Sequence, residues 1–316
     1  ALGQLPVMHD GRIKPLDTLA RHTLVQIKGN TRLKNASPTL WFWNNLTNNN
    51  TDKNSPIIVV EHPKLFDTIN PIYNKQKFRV SESFLDQHIQ HIAPTVKQAA
   101  ELESAQRTRY QQAATLVYQR YITLKQSYTG LFPLKNNSPL TFWNHMIALS
   151  QNIPAESPQQ STQFNNFLAY YNTLQSQQSD ALNLHLIFST NAWTSLAEEA
   201  LNTQQNNRTL LSNYLLLADA HIQHNASKLE QYSNAIMDAF KQQSFLDYAK
   251  LKLEYLNTII NPFIVSLWLY IIIILCSFIG YLLPKKNLTP YITSTWALTL
   301  GIHAFGMLAR SIILMR

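Results

Sequence analysis

An uncharged apolar stretch at 262–283 constrains this chain more than any other feature of its sequence. It reads PFIVSLWLYIIIILCSFIGYLL. At a rise of about 1.5 Å per residue, a helix of this length matches the ~30 Å hydrocarbon core of a bilayer. A polar turn and a second apolar stretch follow, and only His303 and Arg310 interrupt that stretch. We therefore predict a transmembrane helical hairpin, with spans at 262–283 and about 290–315 and the lipid bilayer as its partner.

Charge separates residues 1–261 from residues 262–316. All 18 acidic residues and most of the 26 basic ones precede Asn261, while the tail has four Lys or Arg and no Asp or Glu. The positive excess before Asn261 is small and scattered, which argues against a nucleic-acid partner. There is no glycine-rich phosphate-binding motif. The single cysteine, Cys276, excludes an internal disulfide and a CxxC site.

Residues 1–261 have the pattern of a mainly α domain with long helices and a minor β-ribbon. Helix formers and apolar periodicity predict one long helix at 94–128. A second is predicted from about 207 to 259, with a break near Asn225 or Gln243, and it enters the membrane span almost without a linker. Shorter helices are predicted at 15–27, 81–92, 139–151, 163–175 and 190–201. Two short β-prone segments, 56–60 and 78–80, predict a two-stranded ribbon.

His303 falls near the middle of the second apolar stretch. A polar ring inside a bilayer costs free energy unless it has a partner or faces a cavity, so it is a candidate functional residue. A neutral imidazole is a good ligand for haem iron, and a hydrogen bond within a helix bundle is the alternative. Arg310 follows about two helical turns later. It would either extend toward the headgroups or pair with an anion such as a haem propionate.

Two histidine pairs have the HxxH spacing of helical metal ligands. They are His88 with His91 and His221 with His224. Neither pair has a carboxylate or cysteine set nearby, so a solvated or packed helix face explains them better than a metal. A metal-dependent hydrolase would also lack a nucleophile and a base.

The segment 5–29, LPVMHDGRIKPLDTLARHTLVQIKG, combines a turn, an extended strand and a helix. A turn is predicted at Asp10 and Gly11, and a helix opens near Pro15 with an apolar stripe at Leu16, Leu19, Ala20, Leu24 and Ile27. The segment offers charge and helix capping but no nucleophile. We therefore expect seven of its residues to be structural or interfacial, bracing the domain against the membrane region or a partner: Gly11, Arg12, Lys14, Pro15, Asp17, Thr18 and Arg21.

Two strings in the chain resemble a known family. PVMHDGRIKPLDTLAR, at 6–21, resembles the P-V-x-x-x-GR-x-K-P-L-D-T-x-A-R segment of System II (CcsA/CcsB-type, ResB/ResC-like) cytochrome c biogenesis proteins. LGIHAFGMLARSIILMR, at 300–316, is similar to the membrane helix that leads to that family's GRPPVTNLYES segment. The resemblance covers about the first 25 and last 20 residues and leaves the middle 200 without a matched motif.

The resemblance implies a function, a location and partners. The family exports haem and supports its thioether attachment to Cys-x-x-Cys-His motifs of apocytochrome c. We expect this chain to be the N-terminal part of such a synthase, with an extracytoplasmic domain at 1–261 and two membrane helices at 262–316. The implied location is the bacterial cytoplasmic membrane, with the domain in the periplasm. The remainder of the synthase and apocytochrome c are the implied partners, and haem is the implied cofactor, contacted by His303 and Arg310.

The chain also departs from the family pattern. The tryptophan-rich WWD haem-handling loop is absent, and Trp41-Phe42-Trp43 lacks its glycine and aspartate setting. This leaves enzymatic activity within this segment open. Charge leaves the topology open as well, because Lys285 and Lys286 favour a cytoplasmic turn while basic residues also lie at the opposite ends of the spans. The competing hypothesis is a membrane-anchored scaffold or sensor domain without haem chemistry.

Overall fold

A computed structural model describes residues 2–47, 53–69, 78–128, 184–188, 192–196, 199, 208–282 and 289–314. The predicted fold class is confirmed: the chain is mainly helical, with small two-stranded sheets and two apolar helices at its C-terminal end. The helices are α1 Leu16–Lys28, α2 Pro38–Leu46, α3 Pro63–Ile69, α4 Glu82–Ala100, α5 Arg109–Ser127, α6 Arg208–Ile222, α7 Ala226–Gln243, α8 Phe245–Ile260, α9 Pro262–Leu282 and α10 Thr289–Leu314. The helices predicted at 139–151 and 163–175 lie outside the described residues. The helix predicted at 190–201 is wrong near its start, because Trp193–Thr194 form a strand there.

The strands form three antiparallel pairs. They are β1 Pro6–His9 with β2 Arg12–Pro15, β3 Ile58–Val59 with β4 Arg79–Val80, and β5 Ile187–Phe188 with β6 Trp193–Thr194. The β3–β4 pair confirms the predicted ribbon, while the other two pairs were not predicted. The β1–β2 turn consists of Asp10 and Gly11, both with positive φ (53° and 69°), as a type I′ hairpin turn requires.

The single helix predicted at 94–128 is wrong, because two helices, α4 and α5, occupy this region. Pro94 lies inside α4 and does not begin a helix. The chain leaves α4 after Ala100, and Thr108 starts α5 with a capping box. The Thr108 hydroxyl accepts from the Gln111 backbone N–H at 3.2 Å, and the Gln111 side chain accepts from the Thr108 N–H at 2.9 Å. These bonds satisfy amides that a continuous helix would have paired internally.

The long helical region before the membrane is broken where the sequence predicted. Asn225 caps α7 by accepting from the Lys228 N–H at 3.0 Å, and Ser244 caps α8 by accepting from the Asp247 N–H at 3.3 Å. Helix α8 then passes into α9 through one residue, Asn261, whose backbone is left-handed (φ 47°, ψ 66°). The near absence of a linker before the apolar helix is also confirmed.

Helix α1 lies between two apolar cores. The first core joins β1, α1 and α2 to α6, α7 and α8, and the second joins the C-terminal end of α1 to β3, α4 and α5. All five residues of the predicted apolar stripe of α1 are buried. Because the stripe faces both cores, this helix ties the N-terminal hairpin to the rest of the domain.

Buried charges of the second core are paired. The Arg120 guanidinium donates to the carbonyls of Gln26 and Val59 at 2.9 and 2.8 Å and to the Glu61 carboxylate. Glu82 is 1% exposed, and the Lys125 ammonium lies 2.9 Å from its carboxylate. A buried ion is tolerated when an opposite charge lies beside it. These bonds join α5 to α1, β3 and α4.

Candidate functional site

The two C-terminal helices have the length and composition of membrane spans. Large apolar side chains point outward along α9 and α10, such as Trp268, which is 62% exposed, and Ile274, which is 66% exposed. So much exposed apolar surface requires lipid or another apolar partner. The chain is thus built as a helical domain followed by two apolar helices that are long and apolar enough to span a membrane.

Helix α10 is longer than α9 and packs on two neighbours. It has 26 residues against 21 for α9, which makes it roughly 8 Å longer. Its C-terminal part extends past Asn261 and packs against α8 as well. Where α10 crosses the start of α9, a Cβ added to Gly306 would lie 2.9 Å from Pro262 Cγ. Only glycine permits this close approach between the helices.

His303 lies in the seam between α9 and α10. Its Nδ1 is 3.4 Å from the Ser266 hydroxyl, and its ring packs edge-to-face on Phe263 with centroids 5.6 Å apart. Tyr270 is on the other side, at 6.2 Å. The Ser266 hydroxyl donates its one proton to the Phe263 carbonyl at 3.1 Å. The Ser266 oxygen can therefore accept from His303 Nδ1–H, and in that tautomer Nε2 would keep the lone pair that a metal binds.

The depth of His303 differs from the sequence-based placement near the middle of the membrane. Ser266, its neighbour on α9, is four residues after Pro262, or about 6 Å along the helix. His303 is in the middle of α10, but the last turns of α10 pass Asn261 and run beside α8. The middle of the helix is thus not the middle of the apolar hairpin, and His303 lies toward the domain.

Arg310 lies farther toward the domain than His303, by seven residues or about 10 Å. Its side chain is exposed and has no ion-pair partner within the described ranges. At this level the side chain can extend past the apolar surface to the headgroups. Arg310 and His303 lie on the same helix, and their side chains do not contact each other directly.

The N-terminal hairpin contacts the helix that leads into the membrane. Arg12, on β2, pairs with Glu254 on α8, whose side chain is only 10% exposed. Lys252 donates to the side chain of Gln4. A Cβ at Gly3 would lie 3.1 Å from the Tyr255 ring. These contacts place the predicted bracing segment against α8.

The other residues of the predicted segment stabilise the hairpin and α1. The Asp17 carboxylate accepts from Thr39 Oγ1 and from Arg21 Nε, both at 2.6 Å. The Lys14 ammonium lies 3.6 Å from the Asp10 carboxylate across the turn. Expected side-chain capping by this segment is wrong: the N-cap of α1 is Pro15, with no side-chain cap bond. Among the described residues, the buried Thr18 hydroxyl has no hydrogen-bond partner.

The HxxH histidines have packing partners. His88 Nδ1 lies 2.9 Å from the Phe84 carbonyl, and its ring stacks on Phe84. His221 Nε2 lies 2.6 Å from Asn44 Oδ1, and burial, helped by nearby His224, lowers the pKa of His221. Within the part of the chain that the structure describes, no three metal-ligating side chains come together.

Sequence reasoning missed the partners of the predicted residues. Glu254 is 242 residues from Arg12, and Ser266 is 37 from His303, so no local pattern links them. One signal for Glu254 was present, since it is the last acidic residue of the chain and precedes a tail without Asp or Glu. Gly306 had no such signal, because its importance comes from a crossing that only the folded chain shows.

Comparison with known proteins leaves the family open. A scan against protein-family models and a search of curated proteins found no match to this chain. Its function must therefore be argued from the two resembling strings and from the geometry of the membrane-proximal region.

Proposed function

We propose that this chain is part of a membrane cytochrome c synthase, which exports haem and supports its covalent attachment to apocytochrome c. The resemblance of 6–21 and 300–316 to System II proteins supports the proposal. So does the architecture, since a helical domain joined to an apolar hairpin is what the resemblance implies. The partners would be the rest of the synthase and apocytochrome c.

The single observation that carries the haem role is the environment of His303. Ser266 lies 3.4 Å from one ring nitrogen and can hold the tautomer that leaves the other nitrogen to bind iron. A hydrogen bond on the distal nitrogen fixes the tautomer and orientation of a metal-binding histidine. Phe263 and Tyr270 supply aromatic surface beside the ring, as a flat apolar macrocycle requires. The residues present therefore fit haem.

Arg310 would hold an anionic edge of the cofactor. Its guanidinium is exposed and without an ion-pair partner among the described residues, so a propionate would meet an available cation. Bound haem would supply the iron centre and the vinyl groups that become thioethers. The residues of this chain would bind and orient it, and the 6–21 segment would hold the surrounding framework.

The proposed location is the bacterial cytoplasmic membrane, with the large domain in the periplasm. Two membrane-type helices support membrane association, and the side of the membrane comes from the family resemblance. On this topology His303 lies toward the periplasmic face. That is the side on which haem would be passed to apocytochrome c.

The proposal is tested by removing the imidazole in the full-length protein. His303→Ala should lose the Soret absorption and cytochrome c maturation while the protein still accumulates, and added imidazole should restore part of the absorption. His22→Ala is the matched control, because it removes an exposed histidine from α1. A His303→Ala protein with full haem content and normal maturation would leave the anchored scaffold as the better account.

A further inference from the structure

One turn of α8 receives all the close contacts described above from the N-terminal residues. Lys252 meets Gln4, Glu254 meets Arg12, and Tyr255 packs against Gly3. The positions 252, 254 and 255 lie within about one turn of the helix. The N-terminal hairpin and the 3₁₀ turn Leu2–Gln4 that precedes it thus contact α8 at one level, close to its junction with α9.

The ion pair gives this grip a defined orientation. Glu254 is mostly buried, and Arg12 is partly exposed at 36%. A buried carboxylate without its partner is unfavourable, so α8 is held in the rotation that brings Glu254 to Arg12. An apolar contact of the same area would tolerate sliding and rotation, because hydrophobic burial is not directional.

The connection from α8 to α9 is a one-residue break in the helix, here called the joint, and α10 packs across it. The joint is Asn261, whose left-handed backbone breaks the helix between Ile260 and Pro262. Helix α10 packs along both α8 and α9. Gly306 fits against Pro262 at the joint itself. Helix α10 thus bridges the joint. The three helices α8, α9 and α10 therefore form one packed unit, which we call the membrane unit.

His303 belongs to this unit and lies close to the joint. It is three residues from Gly306 on α10, so the two positions share a face of the helix. Its contact with Ser266 is four residues beyond Pro262. A rotation of α8 relative to the domain would therefore carry His303 with it.

We propose that the hairpin Pro6–Pro15 is a positioning device for the membrane unit. Arg12, acting through Glu254, sets the height and rotation of α8, α9 and α10 relative to the rest of the domain, and thereby sets where His303 is presented. Arg12 and Glu254 are positioning residues and do not touch a ligand. The significance for haem rests on the proposed function, whereas the coupling between hairpin and membrane helices does not.

The coupling is tested by a distance measurement between spin labels in the full chain. Labels are attached at Val25→Cys on α1 and Leu298→Cys on α10, both exposed positions, with Cys276→Ser removing the native thiol. The protein is reconstituted in lipid nanodiscs and its distance distribution is measured by pulsed electron resonance. Arg12→Ala and Glu254→Ala should each broaden or shift the distribution. The exchange Arg12→Glu with Glu254→Arg should restore a narrow one.

A matched control separates the pair from general damage to the hairpin. Lys14→Gln removes another cation from β2, but its ion pair is with the exposed Asp10 and not with α8. It should keep the parent distribution. If Glu254→Ala does not fold, Glu254→Gln keeps the side-chain size and removes only the charge. Single variants with the parent distribution, or a charge exchange as broad as the single variants, would overturn the proposal.

Haem content of the same samples distinguishes the two proposals. If both hold, Arg12→Ala should shift the Soret maximum or lower haem occupancy while α10 remains inserted. A parent protein that binds no haem, but whose distances respond to Arg12→Ala, would reject the haem function and keep the positioning role. A parent that binds haem, with distances unaffected by Arg12→Ala, would do the reverse.

Discussion

Gly306→Ala should destabilise the membrane unit because there is no room for a methyl group at the joint. The added Cβ would lie 2.9 Å from Pro262 Cγ, 3.2 Å from its Cβ and 3.4 Å from Phe263 Cζ. Non-bonded carbons prefer about 3.5–4.0 Å, so the closest contact is too short by roughly 0.6–1.1 Å. The proline ring is fixed to the backbone and cannot rotate away. Helix α10 must therefore move outward.

The expected cost follows from comparable overpacking in cores. Adding a methyl group to a closely packed site costs about 1–3 kcal/mol. For a chain of this size, each kcal/mol lowers the midpoint of thermal unfolding by roughly 2–4 °C. Outward movement of α10 would also lengthen the 3.4 Å contact between Ser266 and His303. The same variant should therefore weaken the seam in which His303 lies.

Gly301→Ala provides the matched control on the same helix. A Cβ at Gly301 meets nothing within 4 Å, and alanine favours a helix over glycine by up to about 1 kcal/mol. Both variants are compared with the parent by thermal unfolding in nanodiscs, monitored by size-exclusion fluorescence. Gly306→Ala should unfold several degrees below the parent, and Gly301→Ala at or above it. Equal midpoints for the two variants would refute the close crossing.

Two further predictions concern pH and topology. Burial holds the pKa of His221 below the ordinary histidine value of about 6.5, so the unfolded chain binds more protons between the two pKa values. The contribution of His221 to the stability of the fold is constant above about pH 6.5 and falls as the pH drops from there through the lower pKa of the folded state. His221→Gln should therefore reduce the decrease in chemical-denaturation midpoint on acidification. An unchanged pH dependence of the midpoint would contradict this. Reporter fusions after Ile259 should be active outside the cytoplasm and those after position 287 inside it, whereas purely cytoplasmic activity at Ile259 would reverse the topology.

Local features were predictable where the signal lay within a few residues. The breaks at Asn225 and Ser244 follow from side chains that cap helices, and the α1 stripe follows from helical periodicity. The break before Thr108 was missed among strong helix formers, although Thr108 and Gln111 have the capping-box spacing. In that region, a four-residue capping box outweighed the helix propensity of the whole stretch.

Features that depend on long-range packing were not predictable. Arg12 was expected to brace the domain, but the identity of its partner, Glu254, depends on how α8 returns past the hairpin. Asp17 was expected to favour the start of α1, yet its carboxylate is bonded to Thr39 of another helix. The depth of His303 depends on how far the C-terminal end of α10 extends past the start of α9. Sequence indicated which residues matter, and the fold determined what they contact.

The most direct test of the account is haem binding by the purified parent chain in lipid nanodiscs. Haem is titrated into the protein and followed by absorption and electron resonance, with His303→Ala measured in parallel. The account predicts saturation at one haem per chain, with the spectrum of a histidine-ligated iron that is lost in His303→Ala. A parent chain without saturable haem binding, or a spectrum unchanged by His303→Ala, would contradict it.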